Sequence, residues 1–174
     1  MLEPSHNFWN FSIEFYSSRT VSEACLELQE KFNLDINLLL FCLWYSRSYG
    51  KFDVDILRQV WEFSQEWKNN VVEPMRSARR WMKINSATLT ECDTEDFVSL
   101  REKIKVNELK AEKYQQLTME KLVLQTEPLP LTEISDQSLQ DNLHSLFEIH
   151  SLPDEISNDP QLGKIIEAFA SARS

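Results

Sequence analysis

Arg76, Arg79, Arg80 and Lys83 stand at offsets of three, four and seven residues, the spacing that puts side chains on one face of a helix. Four cations so placed repel one another and gain from an anion. The chemistry open to them is the binding of phosphate groups or of an acidic protein, with the interleaved Trp81 available to stack on a base or to anchor in a core. They form the only basic cluster in a chain of net charge −10. A solvated face, or a docking place for the chain's own acidic end, is the plainer account of the same residues.

Other chemistry-bearing residues reduce to structural roles. Glu3-Pro4-Ser5-His6 has the Glu-x-x-His spacing of carboxylate-bridged metal bundles, but those need two such pairs with further carboxylates. His144 and His150 have no Cys or second carboxylate at ligand spacing. Asp53 and Asp55 resemble a carboxylate pair, yet helix capping accounts for the first and the helix dipole for the second. Arg47 and Arg58 flank apolar sequence and are assigned to helix-end or internal pairing. Cys25, Cys42 and Cys92 are odd in number and widely spaced, which argues against a disulfide framework or a zinc site, and no Gly-x-Ser-x-Gly elbow occurs. No catalytic residue, cofactor or metal is expected.

The elements that must position the basic face are helical. Only two glycines occur, Gly50 and Gly163, too few for a hairpin-rich β fold or a phosphate-cradling loop. Leu38 to Tyr45 is unbroken apolar sequence behind Asp35, short of a membrane span, and reads as the fully apolar central helix of a bundle. Around it the spacing predicts a first helix over about Asn7–Tyr16, a second opened by a Thr20/Glu23 capping box and ended at Asn33, and a fourth from Asp53 carrying Ile56, Val60, Phe63 and Trp67. Pro74 predicts a kink or break before the basic stripe. A long charged helix should follow from Glu95 towards Gln125, with an apolar seam narrow enough either to lean on the bundle or to pair with a second copy.

Charge and aromatic content divide the chain. All five tryptophans precede Ile84, while residues 127–174 hold nine acidic and two basic side chains. The expected organisation is all-α: a bundle over residues 1–83 with Leu39, Phe41, Leu43 and Trp44 at its centre, a long charged helix over 94–126, and an acidic, loosely held helical tail over 127–174. That tail would hold a helix capped near Ser135 and another begun by Asp159-Pro160. No charged and apolar leader opens the chain, so a cytoplasmic location is expected.

Phe8-Trp9-Asn10-Phe11-Ser12, Ala24-Cys25-Leu26-Glu27-Leu28-Gln29, the run from Asp35 to Trp44, and Val72-Glu73-Pro74-Met75-Arg76 together resemble a proteobacterial family of small uncharacterised proteins, a domain of unknown function. The likeness covers about residues 8–83, with a weaker echo over 100–120 in Lys105-Val106-Asn107-Glu108-Leu109-Lys110-Ala111-Glu112. It implies a bacterial, cytoplasmic helical protein and supplies no activity. The reading from sequence is therefore a non-enzymatic interaction or adaptor protein that uses Arg76, Arg79, Arg80, Lys83 and Trp81 on an anionic partner, either RNA, a ribonucleoprotein or an acidic protein. The alternative is a helical enzyme or small-molecule binder with an apolar pocket near Trp44 and Tyr45. In a third reading the acidic tail covers the basic face until a partner displaces it, and the long helix admits a homodimer.

Overall fold

In the first helix, α1 (Phe8–Tyr16), three phenylalanines at helical spacing, Phe8, Phe11 and Phe15, turn inward, and the Asn7 side chain caps the start by accepting the Asn10 N–H at 2.9 Å. The computed structural model describes residues 7–89, 94–123 and 136–172. The second helix, α2 (Arg19–Phe32), buries Val21, Ala24, Cys25, Leu28 and Phe32 and stops at Asn33, whose φ of 53° is the left-handed conformation an asparagine tolerates. The Thr20/Glu23 capping box does not form. Only Ser17 and Ser18 separate α1 from α2, so the helix starts upstream at Arg19, and Glu23 pairs with Arg19 Nε at 2.7 Å.

Asp35 caps α3 (Ile36–Ser48) by accepting the Asn37 N–H at 3.0 Å. Every side chain from Leu38 to Ser48 is buried, Leu39, Phe41, Leu43 and Trp44 among them, as expected of a helix surrounded on all sides. Gly50, at φ 77°, turns the chain, and Asp53 caps α4 (Val54–Trp67) through the Asp55 N–H at 2.8 Å. The expected break at Pro74 takes the form of a π-turn, Lys68–Val72, that joins α4 to α5 (Glu73–Ile84) without leaving helical geometry. Proline lacks the N–H that an α-helical ladder would use, and the wider turn before it absorbs that loss. The turn also brings Lys68 and Val72 inward.

After the short α6 (Ser86–Leu89), α7 (Thr94–Val123) runs for about 45 Å at 1.5 Å per residue. No side chain in it is buried before Glu108; from there Ala111, Gln115, Gln116, Met119 and Val123 face the bundle. The second half leans on the bundle, while the first half has only half-buried side chains, Phe97, Arg101 and Ile104, turned away from solvent.

The C-terminal helices correct the sequence reading. α8 (Asp136–Ile149) packs on α3, and α9 (Pro160–Ser171) packs along α2, their Leu139, Leu143, Leu146, Leu162, Ile165 and Phe169 joining the same core as Phe8 and Leu43. Net charge misled: Glu148 and Glu167 stand on outer faces and Asp159 is spent on a helix cap, while the inner stripes are apolar. Buried Asn142 fastens α8 to the α3–α4 turn, its amide donating to Ser46 Oγ and the Gly50 carbonyl at 2.9 Å each and accepting the Phe52 N–H at 2.8 Å. Asp159 and Pro160 open α9 as predicted, and Lys31 on α2 bridges Asp159 at 2.7 Å. Ser135, expected to cap α8, lies outside the described residues, as do Glu3, His6 and Cys92. Among the described residues there is no strand, and no helix is long and apolar enough to cross a membrane.

Candidate functional site

The basic stripe of α5 lies against the second half of α7, and there two of its four cations find carboxylates of the same chain. Arg76 donates from Nε to Glu108 at 3.1 Å, from Nη1 to Glu73 at 2.9 Å and from Nη2 to Glu112 at 2.6 Å. Arg79 holds both oxygens of Glu108 in a forked pair. Arg80, Trp81 and Lys83 are exposed, and among the described residues no carboxylate bridges Arg80 or Lys83. The five predicted residues thus divide into an inner pair locked to α7 and an outer group of Arg80, Trp81 and Lys83 at the free end of α5.

Sequence reasoning missed Glu108 and Glu112, although their signal was present. They stand four apart on α7, matching Arg76 and Arg79 on α5. The two carboxyls differ. Burial raises Glu108, but the hydrogen bonds and charges of Arg79 and Arg76 outweigh it and hold the group below its ordinary value. Glu112 is pushed up, by burial first, with Arg76 opposing and Glu108 adding to the rise.

This cluster forms one wall of a cleft of about 550 Å³ between α1, α2, α5 and α7, whose other walls carry Trp9, Ile13, Tyr16, Leu26 and Leu40. Burial pushes the Tyr16 phenol up to about 12, so its hydroxyl keeps its proton. Behind the cleft is a polar seam. Asp35 accepts the Ser64 hydroxyl at 2.9 Å, Gln115 Nε2 donates to Ser64 Oγ at 2.8 Å, Asn37 Nδ2 donates to Gln115 Oε1 at 2.8 Å, and Gln116 Nε2 donates to Asn37 Oδ1 at 2.7 Å.

The remaining sequence candidates resolve as structure. Trp44 and Tyr45 sit within a ring cluster, with Phe8–Trp44 centroids at 5.3 Å and Tyr45–Phe52 at 4.7 Å. Both are buried, 3% and 2% exposed, and neither lines the large cleft, so the aromatic density that suggested a pocket there is packing. His144 pairs on the surface with Glu148 at 3.3 Å. Arg47 is buried near the end of α3, and Arg58 is exposed on α4. Burial raises the Cys25 thiol to about 12 and the Cys42 thiol further still, which makes both inert as nucleophiles. No group of three metal-ligating side chains occurs among the described residues.

Comparison with known proteins gives one match: a family model described as a protein of unknown function (DUF2390) covers residues 7–119. Neither the curated proteins nor the solved structures yield a match. The matched stretch contains the Arg–Glu cluster and all the walls of the cleft, while α8 and α9 lie beyond it.

Proposed function

The chain belongs to the DUF2390 family of proteins of unknown function, and we propose that it is a non-enzymatic interaction module that docks an acidic, partly apolar segment of another protein on the free end of α5. The observation that carries this reading is Trp81, 57% exposed, one turn from Ile84, 81% exposed, with Arg80 and Lys83 beside them. Tryptophan and arginine are the residue types that most often dominate interface energetics, and an apolar anchor rimmed by cations fits an apolar side chain flanked by carboxylates. Val98 and Leu100, in the first half of α7, are also more than half exposed.

A protein fits this surface better than a nucleic acid. Affinity for phosphate backbones grows with the number of cations that displace counterions. Arg76 and Arg79 already serve Glu108 and Glu112, which leaves two cations of the stripe, Arg80 and Lys83, in a chain of net charge −10. The carboxylates that answer the inner arginines are Glu108 and Glu112 of α7 and Glu73 of α5, whereas the third sequence reading drew them from the tail.

The test is a native pull-down from cells expressing the intact chain, comparing it with the triple variant Arg80→Ala/Trp81→Ala/Lys83→Ala. Capture of a protein that survives nuclease treatment and is lost in the triple variant is the expected result. A captured species indifferent to the triple substitution, or released by nuclease, would overturn the reading.

A further inference from the structure

Ser12 on α1 and Gln116 on α7 line the cleft of about 550 Å³ described above and are only 4% and 3% exposed. Each carries a buried oxygen, Oγ and Oε1, without a hydrogen-bond partner among the described residues. Buried polar atoms are normally paired, and leaving one unpaired costs stability that a ligand can restore. The two residues stand across from each other. α1 packs on α7 in antiparallel sense, since the Phe8 N–H donates to Glu120 at 3.3 Å at one end while Tyr16 feels the Glu112 charge at the other. One turn in from Phe8 is Ser12, and one turn in from Glu120 is Gln116.

The polar seam behind the cleft fixes which kind of partner is missing. The Ser64 carbonyl can only accept, and Gln115 Nε2 donates to it at 3.4 Å as well as to Ser64 Oγ at 2.8 Å. Gln115 Oε1 is therefore the atom turned to Asn37 Nδ2, which leaves Asn37 Oδ1 to accept from Gln116 Nε2. Each amide sets the orientation of the next, and the chain ends at the cleft on an acceptor, Gln116 Oε1. The partner it lacks is an N–H or O–H. Facing it, the Ser12 hydroxyl and the Tyr16 hydroxyl one turn on supply donors from one side of α1. The charged wall calls for no further ion: Arg76, Arg79 and Arg80 stand against Glu73, Glu108 and Glu112, with Arg76 bridged to all three carboxylates and Arg79 to Glu108. The remaining walls, Trp9, Ile13, Leu26, Leu40 and Leu109, are apolar, and the whole has the size and make-up of a small-molecule site.

We propose that the cleft binds a small neutral carboxamide with an aromatic body: its N–H donates to Gln116 Oε1, its carbonyl accepts from the Ser12 hydroxyl, and its ring lies against Trp9, Ile13 and Leu26. A carboxamide carries a donor and an acceptor side by side, the complement of an unpaired amide oxygen across from a hydroxyl.

The experiment is calorimetric titration of the intact chain at neutral pH with three probes: 4-phenylbutanamide, the ketone 5-phenylpentan-2-one, in which a methyl replaces the NH2, and the 4-phenylbutyrate anion. The ketone is the more apolar and would bind more tightly on burial alone, so a preference for the amide reports the hydrogen bond. The amide should bind at least about fivefold more tightly than either, the factor supplied by one net hydrogen bond. Gln116→Met, which keeps an unbranched side chain and removes the acceptor, should bring amide and ketone to within about twofold of each other. Leu26→Trp, at a half-exposed position on the cleft wall, should weaken both. Absence of amide binding, a ketone or an anion bound as tightly as the amide, an amide advantage that survives Gln116→Met, or indifference to Leu26→Trp would each overturn the proposal. The first two outcomes are read on the unaltered chain and do not depend on any variant folding. None involves Trp81, so failure here and failure of the docking surface on α5 are separate results.

Discussion

Replacing Phe169 by Ala removes a ring that is 1% exposed and meets Phe11 and Phe15 edge-on, at centroid distances of 6.3 and 6.1 Å. Truncating a buried phenylalanine costs about 3–5 kcal/mol, from lost transfer energy and from the cavity left behind. Edge-to-face pairs supply about 0.5–1.5 kcal/mol each within such a loss. With two such pairs lost, about 4 kcal/mol is expected, which for a chain of this size lowers Tm by about 8–16 °C. The assay is urea unfolding followed by tryptophan fluorescence. It is informative because Trp9, Trp44, Trp61, Trp67 and Trp81 all lie on α1 to α5, far from the substitution in sequence. The whole fluorescence transition should therefore move with a change made in α9, while Glu167→Ala on the exposed side of the same helix leaves it in place. A tryptophan transition shifted by less than about 0.5 kcal/mol, the ordinary range of surface substitutions, would refute the inclusion of α9 in the common core and restore the loosely held tail.

Asn142→Leu should cost about 3 kcal/mol, because it leaves the Phe52 N–H and the Gly50 carbonyl buried without partners; chemical denaturation measures it, and a near-neutral result would show that α8 is held by apolar contacts alone. Glu108→Gln should cost about 2 kcal/mol at pH 7 by unpairing Arg79 and taking one of the three carboxylates from Arg76, less than for a fully buried pair because Arg79 is a quarter exposed and Arg76 keeps Glu73 and Glu112. The folded-state pKa of Glu108 lies below 4.5, so its contribution is present above that pH and is lost as pH falls through the folded value. Glu112 has the opposite sign: its pKa is raised above 4.5, so the folded state gains from its protonation at low pH and loses that gain as pH rises. Stability of Glu112→Gln relative to the unaltered chain should therefore increase from pH 4 to pH 7 while that of Glu108→Gln decreases, and parallel trends in denaturation series would contradict the assignment. Cys25 and Cys42 should resist a thiol reagent in the folded chain and react on unfolding, since burial raises both thiols; rapid native labelling of either would contradict the packing of α2 and α3.

The parts of the fold that depend on neighbours along the chain are legible in the sequence. The central helix is legible because Leu38 to Tyr45 offers no polar face, and Asp35, Asp53 and Asp159 are legible as caps because a carboxylate satisfies the free N–H two residues on. Asn33 stops α2 for an equally local reason, its tolerance of positive φ. The Thr20/Glu23 box failed because a two-residue link to α1 sets where α2 begins, and the form of the break at Pro74 was settled by what the helix on either side had to bury. Tertiary structure alone decided the rest. Whether Arg76 and Arg79 are a free basic face depends on which face of α7 lies opposite, and Glu108 and Glu112 are separated from them by about thirty residues of chain, beyond any periodicity. Net charge described α8 and α9 as an appendage because it counts outer faces and inner stripes alike, whereas burial distinguishes them, and only the packed core shows that Leu146, Ile165 and Phe169 belong inside it.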